Sequence, residues 1–385
     1  MDKRDFLATA AALALPGAVR AQAEPVRIGL VLPMTGPFAS TGRQIDAAVK
    51  LFQAQRGTTV AGRPVQVIVR DDGGSPDQTR RLAQELVVND KVAVLAGFGI
   101  TPAALAAGPV ATQAKVPAVI MAAATSGIVA TSPFLVRTSY TLPQTSVTMA
   151  EWAHKNRLKR FVTLVSDYGP GLDAEKSFRD RVLLNGGSVV GELRVPLRSP
   201  DFAPFLQKVR DLSPDAVFVF IPSGPAVALM KQFVERGLDK TGIRLIGDGG
   251  VTDDDTLNEM GDAALGVVTS FHYSAAHDSP TNRKFVDAFQ AAHRFRPNFM
   301  AVGGYDGMRV IYAALEATKG RTDGPALLEA MKGQTFESPR GPVLVDAQTR
   351  DIVQNVYIRR VDRRDGQLFN VEIETFPGVR DPRAK

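Results

Sequence analysis

The sequence predicts an α/β protein built as two doubly wound lobes. Three observations point there. Short apolar runs alternate with segments of helical spacing, the pattern of βαβ units and parallel sheets. The alternation runs twice, over 26–121 and again over 145–271. The length of 385 residues suits two to three domains, and 44% hydrophobic with 22% charged residues is ordinary globular composition.

The first 23 residues are read separately. Lys3 and Arg4 open them, Phe6 to Val19 is apolar, and Ala21-Gln22-Ala23 is a small-x-small cleavage site. This order is that of a secretory signal peptide, cleaved near Ala23. The apolar stretch is shorter than the roughly 20 residues a spanning helix needs, so no stable membrane anchor is expected. Lys3-Arg4-Asp5-Phe6-Leu7 also resembles a twin-arginine export signal with Lys for the first Arg.

The first series starts with a strand at Val26–Met34. A helix over Thr41–Gln55 follows, its apolar face formed by Ile45, Ala48, Val49 and Phe52. Val65–Arg70 reads as a strand, Asp77–Asn89 as a helix, Val92–Gly97 as a strand, Ala103–Ala114 as a helix and Val116–Met121 as a strand. The second series has a helix at Thr145–Asn156 and a strand at Arg160–Ser166. A helix over Leu172–Leu184 is closed by Asn185-Gly186-Gly187, a C-cap signal. Strands at Ser188–Val195, Ala216–Ile221, Arg244–Gly247 and Gly266–Phe271 then alternate with helices at Phe202–Leu212, Ala226–Arg236 and Asp253–Met260. Helices return at Asn282–Arg294, Tyr305–Thr318 and Pro325–Lys332. The chain ends in strands at Val343–Val345, Val353–Val361 and Leu368–Thr375, with Asp365-Gly366 as a hairpin turn.

Composition removes several function classes. With no cysteine there are no disulfides, no Cys-ligated metals and no thiol nucleophile. A net charge of +6 is dilute at this length and does not indicate nucleic acid. There is no phosphate loop, nucleophile elbow or metalloprotease motif. Pro102 stands where a dinucleotide fingerprint beginning at Gly97 needs Gly. No cofactor or metal is expected. Asp71-Asp72 read as turn residues and Asp253-Asp254-Asp255 as a helix start. His272 and His277 read as packed or surface histidines, and His154 and His293 as solvent-facing. A secreted α/β enzyme using Asp71, Asp72 or His272 stays open as an alternative.

What remains is a set of polar turns at strand ends, around Thr35–Gly42, Gly99-Ile100-Thr101, Ala122–Ser126, Asp167–Gly171 and Pro222–Gly224. Ligands of open α/β sheets bind beyond the carboxyl ends of the strands, where helix N-termini offer N–H groups to anions. Two such edges facing each other would enclose a small molecule.

Five segments together resemble the leucine/isoleucine/valine-binding proteins, type I periplasmic solute-binding proteins of ABC importers. They are IGLVLPMTGPFASTG (Ile28–Gly42), VRDDGGSPDQTRRLAQELV (Val69–Val87), VPAVIMAAATSG (Val116–Gly127), SDYGPGL (Ser166–Leu172) and GGYDGMRVIYAALEAT (Gly303–Thr318). The resemblance implies two lobes joined by a three-strand hinge, with crossings near Tyr140–Leu142, Phe271–Tyr273 and Arg350–Val353. The first lobe would take 24–141 and 273–350, the second 142–272 and 351–385. It also implies a monomeric periplasmic protein without catalysis, partnered by ABC-transporter permease subunits.

The family's carboxylate contacts match Gly99, Ile100, Thr101, Ala123 and Thr125, and its ligand-stacking Tyr matches Tyr168. The acid that holds an ammonium group aligns with Gly249, so the amino-group reader is expected to be missing, unless Asp248 replaces it. Thr41 stands where an aromatic often lies over the ligand, and Ser223 follows the position of another ligand-side Tyr. Met260–Pro280 resembles the branch that binds aromatic carboxylates. The leading expectation is therefore a small aromatic carboxylate stacked by Tyr168 or Tyr273. A branched-chain or other aliphatic amino acid with Asp248 as counter-charge is the alternative, and a ligand-sensing domain the alternative from another class.

Overall fold

The computed structural model describes residues 24–197 and 200–383; the leader expected at 1–23 lies outside them. One sheet contains β1 (Val26–Leu32), β2 (Thr59–Val60), β3 (Arg63–Asp71), β4 (Val94–Gly97), β5 (Ala118–Ile120) and β6 (Leu135–Arg137), in the order β2-β3-β1-β4-β5-β6. All its pairings are parallel except the short β2–β3 hairpin, which the periodicity does not reveal. The second sheet contains β7 (Arg160–Ser166), β8 (Ser188–Val195), β9 (Ala216–Phe220), β10 (Arg244–Asp248) and β11 (Val268–Phe271), in the order β8-β7-β9-β10-β11. Antiparallel strands β12 (Thr335–Ser338), β13 (Gly341–Val345), β14 (Ile352–Arg364) and β15 (Gln367–Val379) complete it, with β14 against β11.

Leaving out β2, both parallel sheets have the same connectivity: the first strand lies between the second and the third. The strand order therefore reverses beside β1 in one lobe and beside β7 in the other. These are the switch points at which open α/β sheets bind ligands.

The helices are α1 (Ala39–Arg56), α2 (Pro76–Val88), α3 (Thr101–Ala114), α4 (Leu142–Lys155), α5 (Gly169–Leu184), α6 (Ala203–Leu212), α7 (Ser223–Glu235), α8 (Leu257–Met260), α9 (Pro280–His293), α10 (Phe299–Ala317) and α11 (Gly324–Met331). Period-2 alternation sends strand side chains to opposite faces. Ile28, Leu30 and Leu32 pack with Ile45, Val49 and Phe52 of α1 and Val310, Ile311 and Ala314 of α10. Val31, Leu95 and Ile120 pack on the other face with Leu82 and Leu86 of α2 and Ala104, Ala107 and Ala111 of α3. The second sheet repeats this, with α4 and α5 on one face and α6 and α7 on the other. Both faces of each sheet are thus covered, which is why the strands read as continuous apolar runs.

Two glycines in equivalent places set the helices against the strand ends. A Cβ on Gly42 would overlap the Pro33 carbonyl, and one on Gly171 would overlap the Ser166 carbonyl. Only glycine lets the first turns of α1 and α5 sit directly on the ends of β1 and β7. As a result α5 starts at Gly169, inside the segment read as a polar turn. α3 and α7 likewise start before the residues expected, at Thr101 and Ser223.

Two expectations are corrected. Asp253-Asp254-Asp255 do not open a helix. Asp253 and Asp254 are buried and tie segments together: Asp253 accepts from Asn298 at 3.1 Å, and Asp254 accepts from the Ala275 N–H at 3.2 Å and Asn370 at 3.2 Å. His293 is half-buried between the rings of Phe289 and Phe295 rather than facing solvent. The Asp365-Gly366 hairpin forms between β14 and β15, with positive φ at both residues, as a two-residue primed turn requires.

Candidate ligand-binding cleft

A cavity of about 290 Å³ lies between the carboxyl edges of the two sheets. That is near the lower end of small-molecule sites, about 300–1,000 Å³. The helices α1, α3, α5, α7 and α10 all begin at its wall. At none of α1, α3, α5 and α7 does a side chain cap the start, so their first N–H groups have no intrahelical or capping partner.

Of the residues expected from the sequence, Thr41, Gly99, Ile100, Thr101 and Ala123 line the first-lobe side, and Tyr168, Ser223 and Asp248 the second. Three do not line the cavity. Thr125 stands behind Thr101, with the two hydroxyl oxygens 2.8 Å apart. Gly249 faces away from it: a Cβ there would overlap Phe271 and the Arg359 guanidinium, so no side chain at 249 could reach the cavity. Tyr273 is fully buried in the core that also takes Phe271, two residues before it. One residue earlier, Asp248 does line the cavity.

The first-lobe end is rich in donors. Whichever of Thr101 and Thr125 donates to the other, the acceptor's own proton is left over for a third partner. Arg137, fully buried, sits behind this loop. It donates to the carbonyls of Ala123 (3.2 Å), Thr125 (3.0 Å) and Tyr140 (3.0 Å) and pairs with Asp351 at 2.7 Å. The Ala123 N–H is used within the fold, donating to the Phe98 carbonyl at 3.2 Å, and is not a ligand contact.

The walls are aromatic. Tyr168 and Phe220 lie tilted at 34° with centroids 6.3 Å apart. Tyr140 and Phe299 meet edge-on at 6.0 Å. Tyr140 is held from behind by His272, stacked at 4.6 Å, and by Phe271 at 5.0 Å. Burial pushes the phenols of both Tyr140 and Tyr168 well above their ordinary range, so both stay neutral hydroxyls.

The second-lobe end is acidic. Asp248 is 1% exposed; Oδ2 accepts from the Thr145 hydroxyl at 2.7 Å and Oδ1 from the Gly250 N–H at 3.0 Å. Burial pushes its carboxyl up to about 6 against the pull of those bonds and of Arg359. Burial likewise raises Asp253 to about 7. Across the mouth, Asp255 accepts from Ser40 at 2.6 Å and Arg43 at 2.8 Å, joining the two lobes.

The chain matches the periplasmic binding protein family over residues 25–367. It belongs to that family. It is 44% identical to a Leu/Ile/Val-binding protein homolog of Brucella melitensis, over 98% of each chain. It is 57% identical to the solute-binding protein of an ABC transporter from Rhodopseudomonas palustris BisB5 solved with 3,4-dihydroxybenzoic acid. The TM-score is 0.91, over 93% of this chain and 99% of that one. A second R. palustris solute-binding protein, solved with 4-hydroxybenzoate, is 39% identical with a TM-score of 0.90, over 93% of this chain and 98% of that one. The two-lobed architecture is the type I periplasmic binding fold.

The residues weighed for catalysis have structural work in this family member. Asp71 accepts from the Met34 and Thr35 N–H groups and the Thr35 hydroxyl, and Asp72 from Thr79 and Gly74. His277 bonds Glu372 and does not meet His272. Among the described residues no cluster of three His, Asp or Glu could hold a metal ion, and no helix is long and apolar enough to cross a membrane.

Sequence reading missed Tyr140, Phe220, Phe299 and Met300 in the wall. Phe220 ends an apolar strand run and was legible only as core. Tyr140 lies in the link between β6 and α4, where no periodicity operates.

Proposed function

We propose that this protein captures a small aromatic carboxylate between its lobes and delivers it unchanged to the permease subunits of an ABC importer. The observation that carries the reading is the composition of the cavity: an anion-suited donor end at Thr101, backed by Thr125, and the start of α3, set against walls of Tyr140, Tyr168, Phe220 and Phe299. The ligands solved in the two R. palustris proteins support it. On this reading the chain is exported, loses its leader near Ala23, and works as a periplasmic monomer without cofactor. It closes about the crossings near Tyr140–Leu142, Phe271–Tyr273 and Arg350–Val353. The first lobe then comprises 24–141 with 273–350, whose β13 packs Val343 and Val345 into the first-lobe core while pairing with β14 of the second sheet, and the second 142–272 with 351–385.

A thermal-shift screen of refolded, ligand-stripped protein tests this. A ligand at 100 times its dissociation constant stabilises by about 2.7 kcal/mol. Benzoates are expected to shift the melting transition and leucine and valine to leave it in place; the reverse result would overturn the proposal. One observation favours the second reading, an aliphatic amino acid: Asp248 enters the cavity and could pair with an ammonium group.

A further inference from the structure

Asp248 is a buried carboxylate with only half of its acceptor capacity in use. An ionised carboxylate offers about four lone-pair sites. Thr145 occupies one on Oδ2 and Gly250 one on Oδ1, while the group lines the cavity. The other groups around it are the phenols of Tyr140 and Tyr168, which share the cavity, and the Arg359 guanidinium. Arg359 lies beneath the turn, donating to the Gly249 carbonyl at 3.0 Å and to Thr269. Arg359 already offsets part of the charge of Asp248, which suits a neutral donor rather than a full cation. The donor-rich end of the cavity, at Thr101, belongs to the opposite lobe.

From this geometry we infer that Asp248 is a specificity-determining residue that accepts a hydrogen bond from a ring hydroxyl of the ligand, so that the protein selects 3- and 4-hydroxylated benzoates over benzoate. The inference rests on the aromatic-carboxylate reading above. With the carboxylate at Thr101 and the ring between Tyr168 and Tyr140, the far edge of the ring meets Asp248. A hydroxyl there fills an open acceptor site. A ring C–H would leave a buried carboxylate facing carbon, and sites built around a hydroxyl reject ligands that lack it. The acceptor survives protonation, because a neutral carboxyl keeps its carbonyl oxygen.

The test is calorimetric titration of ligand-stripped protein with benzoate, 2-hydroxybenzoate, 4-hydroxybenzoate and 3,4-dihydroxybenzoate, repeated on Asp248→Ala and Asp248→Asn. The unaltered protein is expected to bind the 4-hydroxy and 3,4-dihydroxy acids at least ten-fold tighter than benzoate. The 2-hydroxy acid, whose hydroxyl lies at the wrong end, should bind no better than benzoate. In Asp248→Ala the preference should fall to within about three-fold, with circular dichroism and a cooperative melting transition as proof that the variant is folded; Asp248→Asn, which keeps a weaker acceptor, should fall between. Equal binding of benzoate and 4-hydroxybenzoate by the unaltered protein overturns this inference alone, as does a preference that survives in Asp248→Ala. Binding of none of the four acids overturns it together with the reading it rests on.

Discussion

At the scale of single residues, the cleft depends on side chains whose burial decides their chemistry. Tyr168 is half-buried at the start of α5 with its ring over the cavity. Tyr168→Ala is expected to weaken ligand binding at least ten-fold while moving the melting temperature of the unliganded protein by only a few degrees. Equal loss of affinity and stability would show that the ring merely packs. Asp248 carries a pH signature. Its carboxyl titrates near 4 in the unfolded chain and about 6 in the folded one. Between those values the folded state holds more protons, so this group's effect on stability worsens as pH rises from about 4 to 6 and is constant above. A tenfold difference in proton affinity between the two states is worth about 1.4 kcal/mol. Asp248→Asn should therefore gain up to about 3 kcal/mol relative to the unaltered protein between pH 4 and pH 7, measured by urea unfolding; a difference independent of pH would contradict the placement of this acid.

Residue-level reading of the sequence went furthest where a polar turn follows an apolar run. Thr41, Thr101, Tyr168 and Ser223 all fall in such turns and all line the cavity. It slipped at Gly249 because alignment within Gly-Asp-Gly-Gly carries no register, and one residue's displacement turns a side chain from the cavity to the core. It failed at Tyr273 because the chain from Ser270 to Ser274 is buried throughout, and its ring joins the core that takes Phe271.

At the scale of elements, the helix starts are what the apolar spacing could not see. The first turns of α3, α5 and α7 are made of small and polar residues with Pro among them, so periodicity starts late while the backbone is already helical. Pro near the start fits this, since it lacks only an N–H that would be unpaired there. The same turns need close approach to the preceding strand. Gly171→Ala places a methyl group against the Ser166 carbonyl and should destabilise by about 1–3 kcal/mol. Gly224→Ala, in the first turn of α7 with open space around its Cβ position, should cost little or nothing. Chemical denaturation of the two variants checks the contrast; a harmless Gly171→Ala would mean that α5 does not rest on β7 as described.

At the scale of the whole molecule, one buried ion pair ties together segments far apart in the chain. Arg340, in the β12–β13 turn, is fully buried. It pairs with Asp306 of α10 at 2.7 Å and donates to the carbonyls of Thr138 and Ser139, just after β6, and to Gln354 at the start of β14. Removing one partner leaves an uncompensated buried charge, so Asp306→Ala should cost about 3–5 kcal/mol. A loss below about 1 kcal/mol, again by chemical denaturation, would show that this node does not hold these segments together. The pairing was not legible beforehand: Asp306 lies in the Gly303–Thr318 segment, but nothing there names its partner, and Arg340 is far away in sequence and outside any motif. The duplicated alternation, by contrast, announced two doubly wound lobes; that their sheets share one connectivity is seen only in the strand order.

The central claim is that this cleft holds an aromatic carboxylate, and direct titration of ligand-stripped protein with 3,4-dihydroxybenzoate and, separately, with leucine tests it most directly. The account predicts saturable one-to-one binding of the aromatic acid and no heat attributable to leucine. Saturable binding of leucine with none of the aromatic acid would contradict it and assign Asp248 to an ammonium group instead.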